Sequence, residues 1–269
     1  MAPSPPFIVH PVPAFDDNYL WVVHDGRVAA AVDPGDATPV IDYLTANKLE
    51  LAAIICTHHH ADHVGGVEDL LDQLNLRGKI PVFGPASERI PARTQSLREG
   101  DRITIPALEL TFAVIDVPGH TAGHIAYFGH GLLFCGDTLF ACGCGRLFEG
   151  TAEQMTASLT KLKSLPAETK VFCAHEYTMA NIKFAEAVEP DNADLKLRKA
   201  FCAAKRHRGL PTVPSTIHLE LATNPFLRWD QPAVRVAAAN RLNQALRPNP
   251  APALVFGAIR EWKDRKSVV

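Results

Sequence analysis

The heptapeptide Thr57-His58-His59-His60-Ala61-Asp62-His63 carries metal-binding side chains at His58, His60, Asp62 and His63, and His120, Asp137 and His175 follow further along the chain. Imidazole nitrogen and carboxylate oxygen suit zinc, iron or manganese, whereas a thiolate set would argue for a structural zinc or a cluster. These donors exceed what one tetrahedral ion can hold, so the set implies two divalent ions. A pair of ions with open positions is a hydrolytic device. His58 and His60, two apart in an extended loop, can face one ion, and Asp62 and His63, at the beginning of a helix, can turn to a second. Asp137, with two carboxylate oxygens, is the natural bridge between ions about 3.5–4 Å apart.

The elements that must position these groups are legible around them. Leu51 to Cys56 is a short apolar run, expected to be a buried strand, and beyond the histidines Val64-Gly65-Gly66-Val67 opens a stretch with helical spacing. The donors therefore sit on a strand-to-helix loop at a strand's carboxyl end, where α/β proteins usually bind ligands. Strand-like runs over Leu108–Val117, Leu132–Cys135 and Lys170–Cys173 end at His120, Asp137 and His175 in the same manner. Strand ends that converge on one rim are a far stronger signal than any single histidine.

Near the start, Tyr19–His24 and Arg27–Val32 flank Asp25-Gly26, a type I′ hairpin signal. Thr38 is expected to cap a helix with Pro39 at its first position, and Thr151-Ala152-Glu153-Gln154 fits a capping box for a helix that buries Met155, Leu159 and Leu162. Mixed strands and helices up to His175 imply two packed sheets with helices outside, an αββα sandwich. After Tyr177 the texture becomes helical, over Ile182–Val188, Leu195–Lys205, Val234–Leu246 and Leu254–Trp262, which sets a domain boundary between residues 1–177 and 178–269.

Composition narrows the function classes. The chain of 269 residues is 47% hydrophobic and can bury a substantial core, and a formal charge of -2 offers no net attraction to nucleic acid or an acidic membrane. No apolar stretch reaches bilayer-spanning length, and Met1–Pro6 lacks the basic and apolar regions of a signal peptide. The cysteines show no paired spacing and several lie in apolar runs, so a reducing, cytoplasmic setting is expected. His59 lies between two donors and is expected to point away from them, in a structural role. His124 reads as a satisfied core imidazole, His10, His24, His130, His207 and His218 as ordinary packing or surface residues, and Cys142-x-Cys144 as loop packing.

The order T-H-x-H-x-D-H, P-G-H-T, G-D and a late His resembles the metallo-β-lactamase superfamily. Gly136-Asp137-Thr138-Leu139-Phe140, Gly143–Thr151, Ala174-His175-Glu176-Tyr177-Thr178, Val213-Pro214-Ser215-Thr216 and Asn224-Pro225-Phe226-Leu227-Arg228 narrow the likeness to the glyoxalase II (hydroxyacylglutathione hydrolase) family, over essentially the whole chain. The resemblance implies an α/β, αββα metallo-β-lactamase catalytic domain with a C-terminal α-helical, glutathione-binding domain. It assigns His58, His60 and His120 to one metal, Asp62, His63 and His175 to the other, and Asp137 to both, with zinc expected and iron or manganese as substitutes.

The implied reaction is hydrolysis of S-(R)-lactoylglutathione to D-lactate and glutathione, the second step of methylglyoxal detoxification. Asp62 and Asp137 would act with a metal-bridging hydroxide, formed because two divalent ions lower a water's pKa to about 7. A thiol leaving group, with a pKa near roughly 8.5, departs without an acid catalyst, so the chemistry favours thioesters over amides. Arg260 and Lys263, three apart on one helix face, could grip the glycine carboxylate of glutathione, and by resemblance Arg146 and Tyr177 would join them. On composition alone, Arg260–Lys266 reads as a solvated basic end. Phe148 stands where some relatives carry Tyr, and a phenyl ring donates no hydrogen bond. The partner is thus a small-molecule thioester and the chain is expected to be a monomer. The rival readings are a mononuclear iron persulfide dioxygenase of the same superfamily and a non-catalytic metal- or glutathione-binding module.

Overall fold

The computed structural model describes residues 7–243 and 248–266, which group into two compact units. The first comprises the chain up to Asp116 together with Gly123–Gly136, and the second comprises Val117–Ala122 and the chain from Asp137 onward.

In the first unit, one sheet has the order β1 (Ile8–Ala14), β2 (Asn18–His24), β3 (Val28–Val32), β4 (Glu50–Ile55), β5 (Val82–Pro85) and β6 (Gln95–Leu97). The pairs β1–β2 and β2–β3 are antiparallel, whereas β3, β4, β5 and β6 run parallel. Helix α1 (Ala37–Asn47) makes the crossover from β3 to β4, and α2 (Ala61–Val64) with α3 (Val67–Gln73) leads from β4 toward β5. Val40, Leu44, Leu70 and Leu71 of these helices pack with Val22, Ala31 and Ile54 of the sheet in one buried core. Both faces of β2 and β3 are buried, which is why their sequences are continuous apolar runs without polar alternation.

A second, antiparallel sheet in this unit joins β7 (Arg102–Ile105), β8 (Leu110–Asp116), β9 (Ile125–Gly129) and β10 (Leu132–Gly136). It meets the first sheet where the Tyr127 hydroxyl donates to Cys56 O at 2.8 Å and Ile125 N–H donates to Thr57 O at 3.0 Å. Burial pushes the Tyr127 phenol well above its usual range, so it remains a donor there.

The second unit holds the short pair β11 (Leu139–Phe140) and β12 (Gly143–Cys144), helix α4 (Ala152–Lys163), β13 (Lys170–Cys173), α5 (Thr178–Val188), α6 (Ala193–His207), β14 (Ser215–Thr216), α7 (Ile217–Thr223), α8 (Pro232–Leu242) and α9 (Pro252–Lys266). The capping box at Thr151 forms as the sequence implies, with Gln154 N–H donating to Thr151 Oγ1 and Thr151 N–H to Gln154 Oε1, and α4 buries Met155, Leu159 and Leu162. Asn224 gives its motif a structural purpose: its Nδ2 donates to Phe140 O at 3.2 Å and Gly143 O at 2.9 Å, tying the β11–β12 turn to the end of α7. Phe226, two residues on, packs in a buried ring cluster with Phe184 and Phe256.

Several local expectations are corrected. Asp36, not Thr38, caps α1: its carboxylate accepts from Thr38 N–H, so Pro39 lies inside the first turn. The β2–β3 hairpin closes one residue later than Asp25-Gly26. Gly26 takes φ 97°, Asp25 N–H donates to Val28 O, and Asp25 Oδ1 accepts from Arg27 and Val28 N–H, so the side chain replaces type I′ geometry. Pro106–Leu108 forms a 3-10 turn before β8, and Leu108 belongs to that turn. Helix α8 stops at Leu242 because Asn243 adopts φ 52° and closes it; Gln244–Leu246 lie outside the described residues, as does Met1–Pro6.

Candidate functional site

The sequence-identified donors divide between the two units. In the first, β3 and β4 run parallel and side by side, so their carboxyl ends are neighbours: Asp33 N–H donates to Ile55 O at 2.8 Å. His58, His60, Asp62 and His63 follow β4 directly, with Asp62 and His63 on the short helix α2. His58 and His63 are fully buried, with ring centroids 4.0 Å apart, and His58 Nε2 faces His60 Nδ1 at 3.1 Å. Asp62 Oδ2 lies 3.5 Å from His63 Nε2 and accepts from Asn18 Nδ2 at 3.0 Å.

In the second unit, Asp137 follows the end of β10 and faces two histidines. Its Oδ2 lies 3.4 Å from His120 Nε2 and its Oδ1 lies 3.4 Å from His175 Nε2. The His120 loop is fixed by α4. Ser158 Oγ donates to Pro118 O at 2.7 Å, and a Cβ on Gly119, at φ 150°, would meet Met155 at 2.9 Å. His120 Nδ1 lies 2.9 Å from Arg146 O, where it donates, which directs Nε2 to the carboxylate.

These spacings fit a metal. Ligand atoms held about 2.0–2.1 Å from a tetrahedral zinc lie about 3.3 Å from one another. The 3.1 Å separation of His58 Nε2 and His60 Nδ1 is close to that edge, as are the two 3.4 Å separations at Asp137. The donor set is imidazole and carboxylate throughout, as for catalytic zinc, iron or manganese.

Beside Asp137 the second unit opens a cavity of about 490 Å³, lined by His120, Phe140, Cys144, Arg146, Phe148, Tyr177, Ala180, Asn181, Arg260 and Lys263. All of the residues expected to hold a substrate are therefore in one cavity. Arg260 is buried and engaged: its Nη1 donates to Cys144 O at 3.0 Å and its Nη2 to Asp264 Oδ1 at 2.8 Å. Lys263 Nζ donates to Asn181 Oδ1, and Asn181 Nδ2 in turn donates to Ala141 O at 2.9 Å. Burial, with Arg260 beside it, lowers Lys263 to about 8. Phe148 is 63% exposed and sets its ring edge-on to His120 at 5.2 Å.

The remaining histidines and cysteines behave variously. His59 pairs through Nδ1 with Glu88 at 3.0 Å, and His124 is buried, stacked on His58 at 4.5 Å. The cysteines are free and buried, and burial pushes the Cys142 thiol up to about 12.

Sequence reasoning missed Asp33, Asn18, Thr57, Asn181 and Asp264, all of which touch the expected site residues. Asp33 had one available signal: it directly follows a strand that precedes a crossover helix, and His58 likewise comes soon after the end of β4.

Comparison with known proteins agrees with this architecture. The model described as the metallo-beta-lactamase superfamily matches residues 14–175, and the model described as the hydroxyacylglutathione hydrolase C-terminus matches residues 176–266. The hydroxyacylglutathione hydrolase of Nitrosomonas eutropha is 53% identical over 256 residues, covering 95% of this chain and 98% of its own. The solved B3 metallo-beta-lactamase BLEG-1 matches with a TM-score of 0.57 and 26% identity, over 82% of this chain and 99% of its own. TTHA1623, solved in a di-iron-bound form, matches with a TM-score of 0.50 and 30% identity, over 62% of this chain and 91% of its own. The chain therefore belongs to the metallo-β-lactamase superfamily and, within it, to the hydroxyacylglutathione hydrolase family. Its fold class is that superfamily's αββα α/β sandwich followed by a C-terminal helical region.

Proposed function

We propose that this chain hydrolyses S-(R)-lactoylglutathione, and related 2-hydroxyacylglutathione thioesters, to the free hydroxy acid and glutathione, completing methylglyoxal detoxification. The observation that carries this reading is the cavity lined both by Asp137 and His120 and by Arg146, Tyr177, Arg260 and Lys263. One cavity thus offers carboxylate and imidazole for the reacting carbonyl and cations for an anionic tripeptide. Family membership supports the same substrate class.

In this reading His58, His60 and His120 hold one ion, Asp62, His63 and His175 hold a second, and Asp137 serves both. Zinc is the first choice; the di-iron state of TTHA1623 supports a two-ion centre and keeps iron open. When bound, the ions supply a water activated near neutral pH and a Lewis acid for the carbonyl oxygen. Asp62 and Asp137 orient that water as hydrogen-bond acceptors. Arg260 and Lys263 attract the glycine carboxylate of glutathione, and Arg146 and Tyr177 join them in holding the tripeptide. The glutathione thiolate leaves without a proton donor because its conjugate acid is only about as weak as an ordinary thiol, with a pKa near 8.5. Residues 1–177 would then supply the chemistry together with Arg146 and Tyr177, and 178–269 the rest of the glutathione grip, in a cytoplasmic monomer.

The test is thioester loss at neutral pH by purified protein, with and without chelator, alongside metal analysis. Chelator-sensitive release of glutathione is expected; full turnover by rigorously metal-free protein would end the reading. Oxygen uptake with glutathione persulfide, in place of thioester cleavage, would move the chain to the dioxygenases.

A further inference from the structure

We infer that Asp33, directly at His63 and through the Thr57 hydroxyl at His58, fixes the ring tautomer of two histidines that serve different ions. The inference rests on the two-ion reading above and concerns residues of the first unit only.

Asp33 is buried, stands at the carboxyl end of β3 and adopts φ 50°, a backbone region that few side chains other than Asn and Asp enter. Its Oδ1 accepts from Thr57 N–H at 2.7 Å, so that oxygen faces a fixed donor. Its Oδ2 lies 2.7 Å from Thr57 Oγ1 and 3.1 Å from His63 Nδ1. A carboxylate only accepts, so both neighbours must donate to it. His63 therefore carries its proton on Nδ1 and presents the Nε2 lone pair.

The Thr57 hydroxyl has one proton, and it is committed to Asp33. Its contact with His58 Nδ1 at 3.1 Å must then run the other way, with Nδ1–H donating to Oγ1. His58 is thereby set in the same tautomer, with the Nε2 lone pair turned toward His60 Nδ1. The packing leaves little room for another arrangement: a Cβ on Gly136, at φ 46°, would meet Thr57 Oγ1 at 2.3 Å. One buried carboxylate thus presets a nitrogen for each ion, and Thr57 is the branch that separates them.

The two substitutions differ in reach. Asp33→Asn puts an N–H donor where Oδ2 accepts. The Thr57 hydroxyl is then released to donate to His58 Nδ1, and His63 Nδ1 must accept, so both rings carry their proton on the metal-facing nitrogen. Thr57→Val removes only the His58 branch, and Thr57→Ser keeps it.

The experiment titrates zinc into the metal-free full chain against a chromogenic chelator and reads imidazole protonation by nitrogen NMR on histidine-labelled protein. Asp33→Asn should weaken both ions by about 10- to 100-fold, the usual effect of losing a partner that orients a ligand. Thr57→Val should weaken one ion by a similar factor and spare the other, and Thr57→Ser should restore it. Should Asp33→Asn fail to fold, the two Thr57 variants carry the test alone. Unchanged affinity for both ions in Thr57→Val, or equal loss of both, would overturn the inference while leaving the thioesterase reading intact. A wild-type chain that binds neither zinc, iron nor manganese would overturn both.

Discussion

Tyr177 lies flat against His175, with ring centroids 4.7 Å apart and planes within 4° of parallel. The tyrosine therefore joins two tasks: it lines the substrate cavity and it covers the face of a proposed metal ligand. Substitutions separate the two. Tyr177→Phe keeps the stack and loses only the hydroxyl, so KM should rise several-fold with metal content unchanged. Tyr177→Ala should raise KM and also speed metal loss to a chelator. Equal metal retention in both variants would confine Tyr177 to the substrate.

Asp137 contacts His120 and His175 through separate oxygens. Asp137→Ala should abolish turnover and leave fewer than two ions per chain by metal analysis, with an unaltered far-ultraviolet circular dichroism spectrum. A fully metallated, inactive variant would show that Asp137 acts on substrate or water alone.

Arg260 is anchored to Cys144 O and Asp264 besides facing the cavity. Arg260→Ala should raise KM more than it lowers kcat, because the group it attracts is remote from the reacting carbon. It should also cost about 1–3 kcal/mol of stability, since the buried carbonyl loses its donor. Thermal melting and steady-state kinetics read the two effects separately.

Lys263, lowered by burial to about 8, loses its charge as pH rises through that value, whereas an ordinary lysine keeps it to about 10.4. KM for the anionic substrate should therefore climb above pH 8, and Lys263→Arg should flatten the climb. For folding, the buried ammonium is a cost fully present below about pH 8 and relieved as pH rises past it, because the unfolded chain then holds the extra proton. A pH-independent KM in wild type would place the substrate carboxylate elsewhere.

Thr151 caps α4, whose Met155 and Ser158 support the His120 loop. Thr151→Ala should cost about 1 kcal/mol, the usual price of a lost N-cap. A fall of about 2–4 °C in Tm is the readout. A larger loss, accompanied by reduced kcat, would show that the cap is coupled to the position of His120.

The sequence alone determined which groups can bind metal and which strands deliver them. His58, His60, Asp62 and His63 follow an apolar run within a few residues, and side chains that close along the chain must be close in space. The same holds for the capping box at Thr151, a local motif that formed as read. The cap of α1 and the turn at Asp25 were misplaced because an aspartate side chain, Asp36 or Asp25, competed successfully for the nearby N–H groups. Tertiary structure decided the partners of the functional groups. Asp33 reaches Thr57 and His63 only because β3 and β4 run parallel with their ends level, and Cys144 meets Arg260 only because α9 packs where it does, whereas Asp264 reaches Arg260 through i,i+4 spacing on α9 itself. A hydrogen bond requires about 3 Å between atoms, and sequence fixes that distance only within a turn or a helix.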